Sequence, residues 1–204
     1  MCLGIKVNKD KIGNLMVYLS ERISPIYHTQ LIKLLYLIDE EAVKDDGVPV
    51  TWLDYKAWQY GPVAPDTYYI KCGGMEFSDY VKAEKCSGSD NHFYVLPKVS
   101  FSDDKFSDYE MDIIDRVIKE YGNKKPSELV NLTHKKGSLW DITKKEHNII
   151  FDNDYKVSDY SLDFKRLIAD DPEKLENYNG AMEIMMINSK LKSCEARKRF
   201  IWHV

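Results

Sequence analysis

Nine residues constrain this chain most: Leu31-Ile32-Lys33-Leu34-Leu35-Tyr36-Leu37-Ile38-Asp39. Leu31, Leu34, Leu35 and Ile38 fall at helical spacing, and Ile32, Tyr36 and Leu37 carry apolar surface most of the way round. A helix apolar on nearly all sides has to lie in the middle of a domain. It is expected to run from about Thr29 to about Lys44, with Gly47 in the left-handed position after its end. The next stretch is different in kind. Trp52, Tyr55, Trp58 and Tyr60 alternate across residues 51–60, favour a strand, and are stopped by Gly61-Pro62.

The rest of the sequence supplies helices to surround that centre. Ile12, Leu15, Met16, Leu19 and Ile23 predict a helix over Lys9–Arg22, capped by Asn8 and weakened by Gly13. Pro65-Asp66 opens a short helix that Gly73-Gly74 ends, and residues 92–96 predict a second strand able to pair with the first. Ser107 and Glu110 form a capping box before Met111, Ile114, Val117 and Ile118. Pro126 and Ser138 each start a short helix, and residues 148–161 predict a loop. Asp171-Pro172-Glu173 is a strong helix start leading into a basic C-terminal stretch. The expected fold is mainly α with a small antiparallel β component (α+β). A compact helical domain surrounds the central apolar helix, and a C-terminal helical extension follows. Residues 1–157 form the domain and 158–204 the extension.

Charge and cysteine usage narrow the function classes. The 204 residues carry a net charge of −4, so bulk attraction to nucleic acid is not expected. Cys2, Cys72, Cys86 and Cys194 make no C-x-x-C pair and are expected to stay reduced in the cytoplasm. Neither a secretory leader nor an apolar run long enough to span a membrane is visible. Cys72, Cys86 and His92 fit no zinc spacing, so no metal and no cofactor is expected. There is no G-x-S-x-G elbow and no P-loop, and no catalytic residue is assigned. A hydrolase or nucleic-acid enzyme would need a Cys–His or carboxylate pair assembled in space. The acidic clusters around Asp39 and Asp45 are expected to be solvated.

Several residues nonetheless form an ordered set. Lys33-Leu34-Leu35-Tyr36-Leu37-x-Asp39 is followed by Gly47-x-Pro49, then by Tyr55-x-Ala57-Trp58-x-Tyr60-Gly61-Pro62-Val63. Tyr121-Gly122, Ser127-Glu128-Leu129, His134 and Trp140 come later. This set resembles the Panacea domain family, which includes SocA-like antitoxins and phage-associated proteins, over roughly residues 8–157. The resemblance implies a protein that neutralises a cognate toxin encoded by an adjacent gene, with no enzymatic step. It also implies, as an alternative, an adaptor that delivers the toxin to a ClpXP-type protease. The chain begins about eight residues before its first helix, so no N-terminal DNA-binding module is expected.

Neutralisation needs a surface with a few aromatic or Arg anchors. The expected partner-binding residues are Trp52, Trp58, Tyr60, Gly61 and Pro62 from the aromatic stretch, with Arg197, Arg199 and Trp202 from the C-terminus. Leu35, Tyr36, Asp39, Tyr55, Ala57, Val63, His134 and Trp140 belong to the motif set and are expected to be structural.

Overall fold

The computed structural model describes residues 5–88 and 92–201, with side chains up to residue 191. Helix α1 (Lys9–Arg22) starts where Asn8 caps it, its side chain accepting from the Lys11 N–H at 3.1 Å. Gly13 has a packing reason: a Cβ there would stand 2.3 Å from the Tyr80 ring. Strand β1 (Ile26–Tyr27) leads into α2 (His28–Asp46), the predicted apolar helix, ended by Gly47 at φ 87°. Leu31, Leu34, Leu35, Tyr36 and Ile38 are fully buried. Each such aliphatic side chain contributes about 1.5–3 kcal/mol of burial.

Around α2 stand α3 (Pro65–Tyr68), α4 (Asp108–Tyr121), α5 (Pro126–Thr133), α6 (Leu139–Glu146) and α7 (Pro172–Ile201). The capping box of α4 is complete: Ser107 Oγ accepts from the Glu110 N–H and Glu110 Oε2 from the Ser107 N–H. Ile113, Ile114 and Val117 turn its apolar face onto the core. The chain is α+β, with helices dominating a small antiparallel β component.

The strands depart from expectation. Residues 51–55 are not strand, because Trp52 takes a left-handed backbone at φ 58° and the Thr51 N–H is drawn to Asp39 Oδ1 at 2.7 Å. The true strand is β2 (Lys56–Trp58), which turns at Gln59-Tyr60 and returns as β3 (Gly61–Val63). Gly61-Pro62 therefore begins the return strand. Pro62 sits opposite Ala57, where the missing N–H is tolerated in so short a ladder.

The second predicted strand, β5 (Phe93–Pro97), does not pair with the aromatic stretch. Its partners are β4 (Val81–Lys85) on one side and β1 on the other, both antiparallel. β4 left little trace in the sequence: Val81 and Ala83 alternate with Lys82, Glu84 and Lys85.

Residues 148–161 form the expected loop, and its end, with Leu162, runs along the free edge of β2. The Ala57 N–H donates to Tyr160 O, the Gln59 N–H to Lys156 O, and the Leu162 N–H to Tyr55 O. The stretch set apart as 158–204 thus begins inside the core, where Leu162, Phe164, Ile168 and Tyr178 are buried with α2.

Candidate interaction site

The motif residues converge on the β2–β3 hairpin. Lys33 projects from α2 into a closed interior, and its Nζ donates to Pro62 O at 2.8 Å. Burial without a carboxylate partner among the described residues pulls its ammonium down to about 7. Thr133 and His134, at the end of α5, close the same space from the other side. Gly61, at φ 96°, lies between them: a Cβ there would stand 2.8 Å from both Lys33 Nζ and Thr133 Oγ1, and 3.4 Å from His134 Nε2. Only glycine fits this backbone and this gap.

His134 tilts against Trp140, ring centroids 3.9 Å apart. Its Nε2 is buried with no hydrogen-bond partner among the described residues. Burial, reinforced by the charges of Lys33 and Lys144, lowers its pKa to about 4. Trp140 Nε1 donates to Trp58 O at 2.7 Å. Trp58 Nε1 in turn donates to Ser158 O at 3.1 Å, and Ser158 Oγ to Ala57 O at 2.6 Å. One chain of contacts thus links α2, the hairpin, α5, α6 and the 156–162 edge.

Asp39 supplies a second buried latch. Its carboxylate accepts from the Thr51 N–H, from Thr51 Oγ1 and from Tyr55 OH at 3.0 Å. Burial raises its pKa to about 6 against those hydrogen bonds, which favour the charged form. The Asp39 expected in a solvated acidic cluster is fully buried, because the Thr51 segment folds back over it. Tyr36 meets Tyr55 edge-on at 5.4 Å and Phe164 at 5.8 Å. Leu35, Tyr36, Asp39, Tyr55, Ala57, Val63 and Trp140 are all buried, and His134 is half-buried.

The residues expected to line the partner surface separate sharply. Tyr60, at the tip of the hairpin, is 63% exposed. Trp52 is buried against Tyr178, ring centroids 5.1 Å apart. Trp58 is buried edge-on to Tyr68, and Gly61 and Pro62 are buried over Lys33. The aromatic stretch therefore presents no open Trp face, because Tyr178 covers Trp52 and residues 156–162 cover the edge at Trp58. Arg197 and Arg199 belong to α7 beyond the residues whose side chains are described, and Trp202 lies outside the described residues.

A different apolar surface is exposed. Ile184, Ile187 and Leu191 on α7 are 61%, 50% and 57% exposed. Leu175, Tyr178, Met182 and Met185 face the core, and Ser189 Oγ accepts from the Lys6 N–H at 2.9 Å. At about 100° per residue, the exposed trio forms one stripe roughly opposite that core face. The i, i+3, i+7 spacing was a sequence signal for this stripe. For the Lys33 latch the signal was a lone cation in an apolar helix. For Thr51 and Ser158 there was none.

The interior offers little to a substrate. Lys33 is covered by the Gly61-Pro62 backbone, so its amine works as a latch. Cys72 is exposed and Cys86 half-buried, both free thiols. Among the described residues, no group of His, Cys, Asp and Glu converges to hold a metal ion. No described helix is long and apolar enough to cross a membrane.

Comparison with known proteins agrees with the motif set. The chain is 30% identical over 126 residues to Antitoxin SocA of Caulobacter vibrioides (strain NA1000 / CB15N). That alignment covers 58% of this chain and 60% of the relative. No solved structure matches. Residues 31–141, from α2 through the start of α6, match the family described as Antitoxin SocA-like, Panacea domain, and the chain belongs to that family.

Proposed function

We propose that this protein is an antitoxin that neutralises a cognate toxin protein by direct binding, without an enzymatic step of its own. The observation that carries this reading is the match of its central helix and hairpin to the SocA-like antitoxin family. Lys33, Asp39 and Trp140 of the motif set are consumed internally, by Pro62 O, by Thr51 and Tyr55, and by Trp58 O, whereas Tyr60 is exposed. Recognition then falls to the surface, and the apolar stripe of α7 together with Tyr60 are the proposed contacts. Large exposed aliphatic and aromatic side chains on one helix face are suited to a partner's groove. Residues 1–157 are the proposed antitoxin unit, with the first half of 158–204 packed into its core and the second half proposed to reach the toxin. The proposed site of action is the cytoplasm, and the toxin gene is expected next to this one.

Co-expression tests the reading. Growth arrested by the neighbouring open reading frame should be restored by this protein, and the two should co-purify at a fixed ratio. Persistent arrest with both proteins soluble would overturn it. The adaptor alternative, delivery to a ClpXP-type protease, predicts a toxin half-life that shortens with this protein and recovers when the protease is deleted. A stable complex with unchanged turnover excludes the adaptor role and leaves direct neutralisation standing.

A further inference from the structure

Two clefts adjoin where α1, α4 and α5 meet β1. The larger, about 610 Å³, is walled by Arg22, Lys119, Lys124 and Lys125. The smaller, about 510 Å³, shares Tyr27, Lys125 and Pro126 with it and adds Lys71, His92 and Phe93. No carboxylate lines either cleft, although the chain carries a net charge of −4. Arg22 is partly committed to Asp115 at 3.6 Å. Among the described residues no ion pair engages Lys119, Lys124 or Lys125. Lys71 lies over the Tyr68 ring at 4.0 Å. Glu128 Oε2 accepts from the Lys125 backbone N–H.

We propose that this double cleft binds a phosphate-rich small molecule of nucleotide size, with phosphates against Lys119, Lys124 and Lys125 and a planar group against Tyr27 and Phe93. Both volumes fall in the range of small-ligand sites. Several unpaired cations on one wall favour a multiply charged anion over a single carboxylate. The aromatic lining of the second cleft suits a flat ring. A polynucleotide is disfavoured, because the next surface, which Lys119 also borders, sets Asp45, Asp112 and Asp115 against one further cation, Arg116, itself paired with Asp45, and its net negative charge opposes a continuing phosphate chain. This inference is independent of the toxin reading: its test measures ligand binding alone.

Isothermal titration of the full chain with ATP, adenosine, inorganic pyrophosphate and a short single-stranded oligonucleotide tests it. ATP should bind saturably, pyrophosphate more weakly, and adenosine not at all. The double variant Lys124→Glu/Lys125→Glu should lose at least about tenfold in ATP affinity. Lys105→Glu, at the opposite end of α1 beside Asn8, should stay within about twofold. Lys125 and Lys105 are exposed and Lys124 is half-buried, and unchanged melting curves confirm that both variants fold. The proposal is overturned if neither phosphate compound binds, if the double variant binds ATP like the wild type, or if only the oligonucleotide binds.

Discussion

The hairpin centre and the outer half of α7 both carry large apolar residues of the kind that mark interfaces, and they use them in opposite ways. Around β2–β3, Trp52, Trp58, Gly61 and Pro62 are turned inward; Trp58 is tied by hydrogen bonds to Trp140 of α6 and to Ser158, Pro62 O to Lys33 of α2, and Trp52 packs on Tyr178. On α7, Ile184, Ile187 and Leu191 stand in solvent on a helix whose other face is the one that packs. Residue type does not distinguish a core from a docking surface; what covers the residue does.

The largest effect is expected at the centre. Leu35→Asp places an unpaired charge in the fully buried face of α2 and should abolish the cooperative thermal transition seen by circular dichroism. Trp58→Ala removes a buried ring and its hydrogen bond to Ser158 O, and should cost about 3–5 kcal/mol in urea unfolding. A variant as stable as the wild type would show that the ring is dispensable to the fold and reopen it as a contact. Gly61→Ala combines a left-handed backbone with contacts to Lys33 Nζ and Thr133 Oγ1, and should cost about 2–4 kcal/mol by the same measurement.

Lys33 sharpens the comparison through pH. Its folded pKa, about 7, lies below the ordinary 10.5, so between those values the unfolded chain binds more protons and stability rises with pH. Lys33→Met removes that dependence. The variant should match or exceed the wild type near pH 7, and the difference should move in favour of the wild type toward pH 10. Denaturant midpoints across that range read it directly, and a constant difference would show that Lys33 is not held in the interior. Asp39 has the opposite sign: its folded pKa is raised to about 6, so its contribution falls as pH rises from about 4 to 6. The neutral His28 and His134, each lowered to about 4, oppose it across much of that interval.

The smallest effect on stability, and a large one on recognition, is expected on α7. Ile187→Asp should change unfolding free energy by no more than about 0.5 kcal/mol. Affinity for the toxin, measured by titration of the purified pair, should fall at least about tenfold. Unchanged affinity in Ile187→Asp and in Tyr60→Ala would remove both proposed contacts together.

Much of the architecture was legible because its signals are local. Asn8, Gly47, Ser107, Pro126, Ser138 and Pro172 act within a turn of where they sit, and each starts or stops the helix it was read to bound. The strands were harder. Trp52 and Tyr55 have strand-forming side chains, but Asp39 captures the Thr51 backbone and the chain is bent away from a ladder. The pairings of β1 with β5 and of β2 with residues 156–162 join segments far apart in sequence, which no local pattern records, and the shorter-range β4–β5 pair was hidden by the mostly charged β4.

By itself, then, the sequence determined that an apolar helix would lie at the centre, that helices would surround it, and that the motif set would belong with the SocA-like antitoxins. Local propensity and periodicity are enough for the first two, since helix caps and 3.6-residue spacing involve only neighbours. Only the tertiary structure decided which aromatic residues are buried, that Lys33 and Asp39 are interior latches, and that the exposed apolar stripe lies on α7. Burial depends on what arrives from elsewhere in the chain: residues 156–162 cover Trp58, and nothing described covers Ile187.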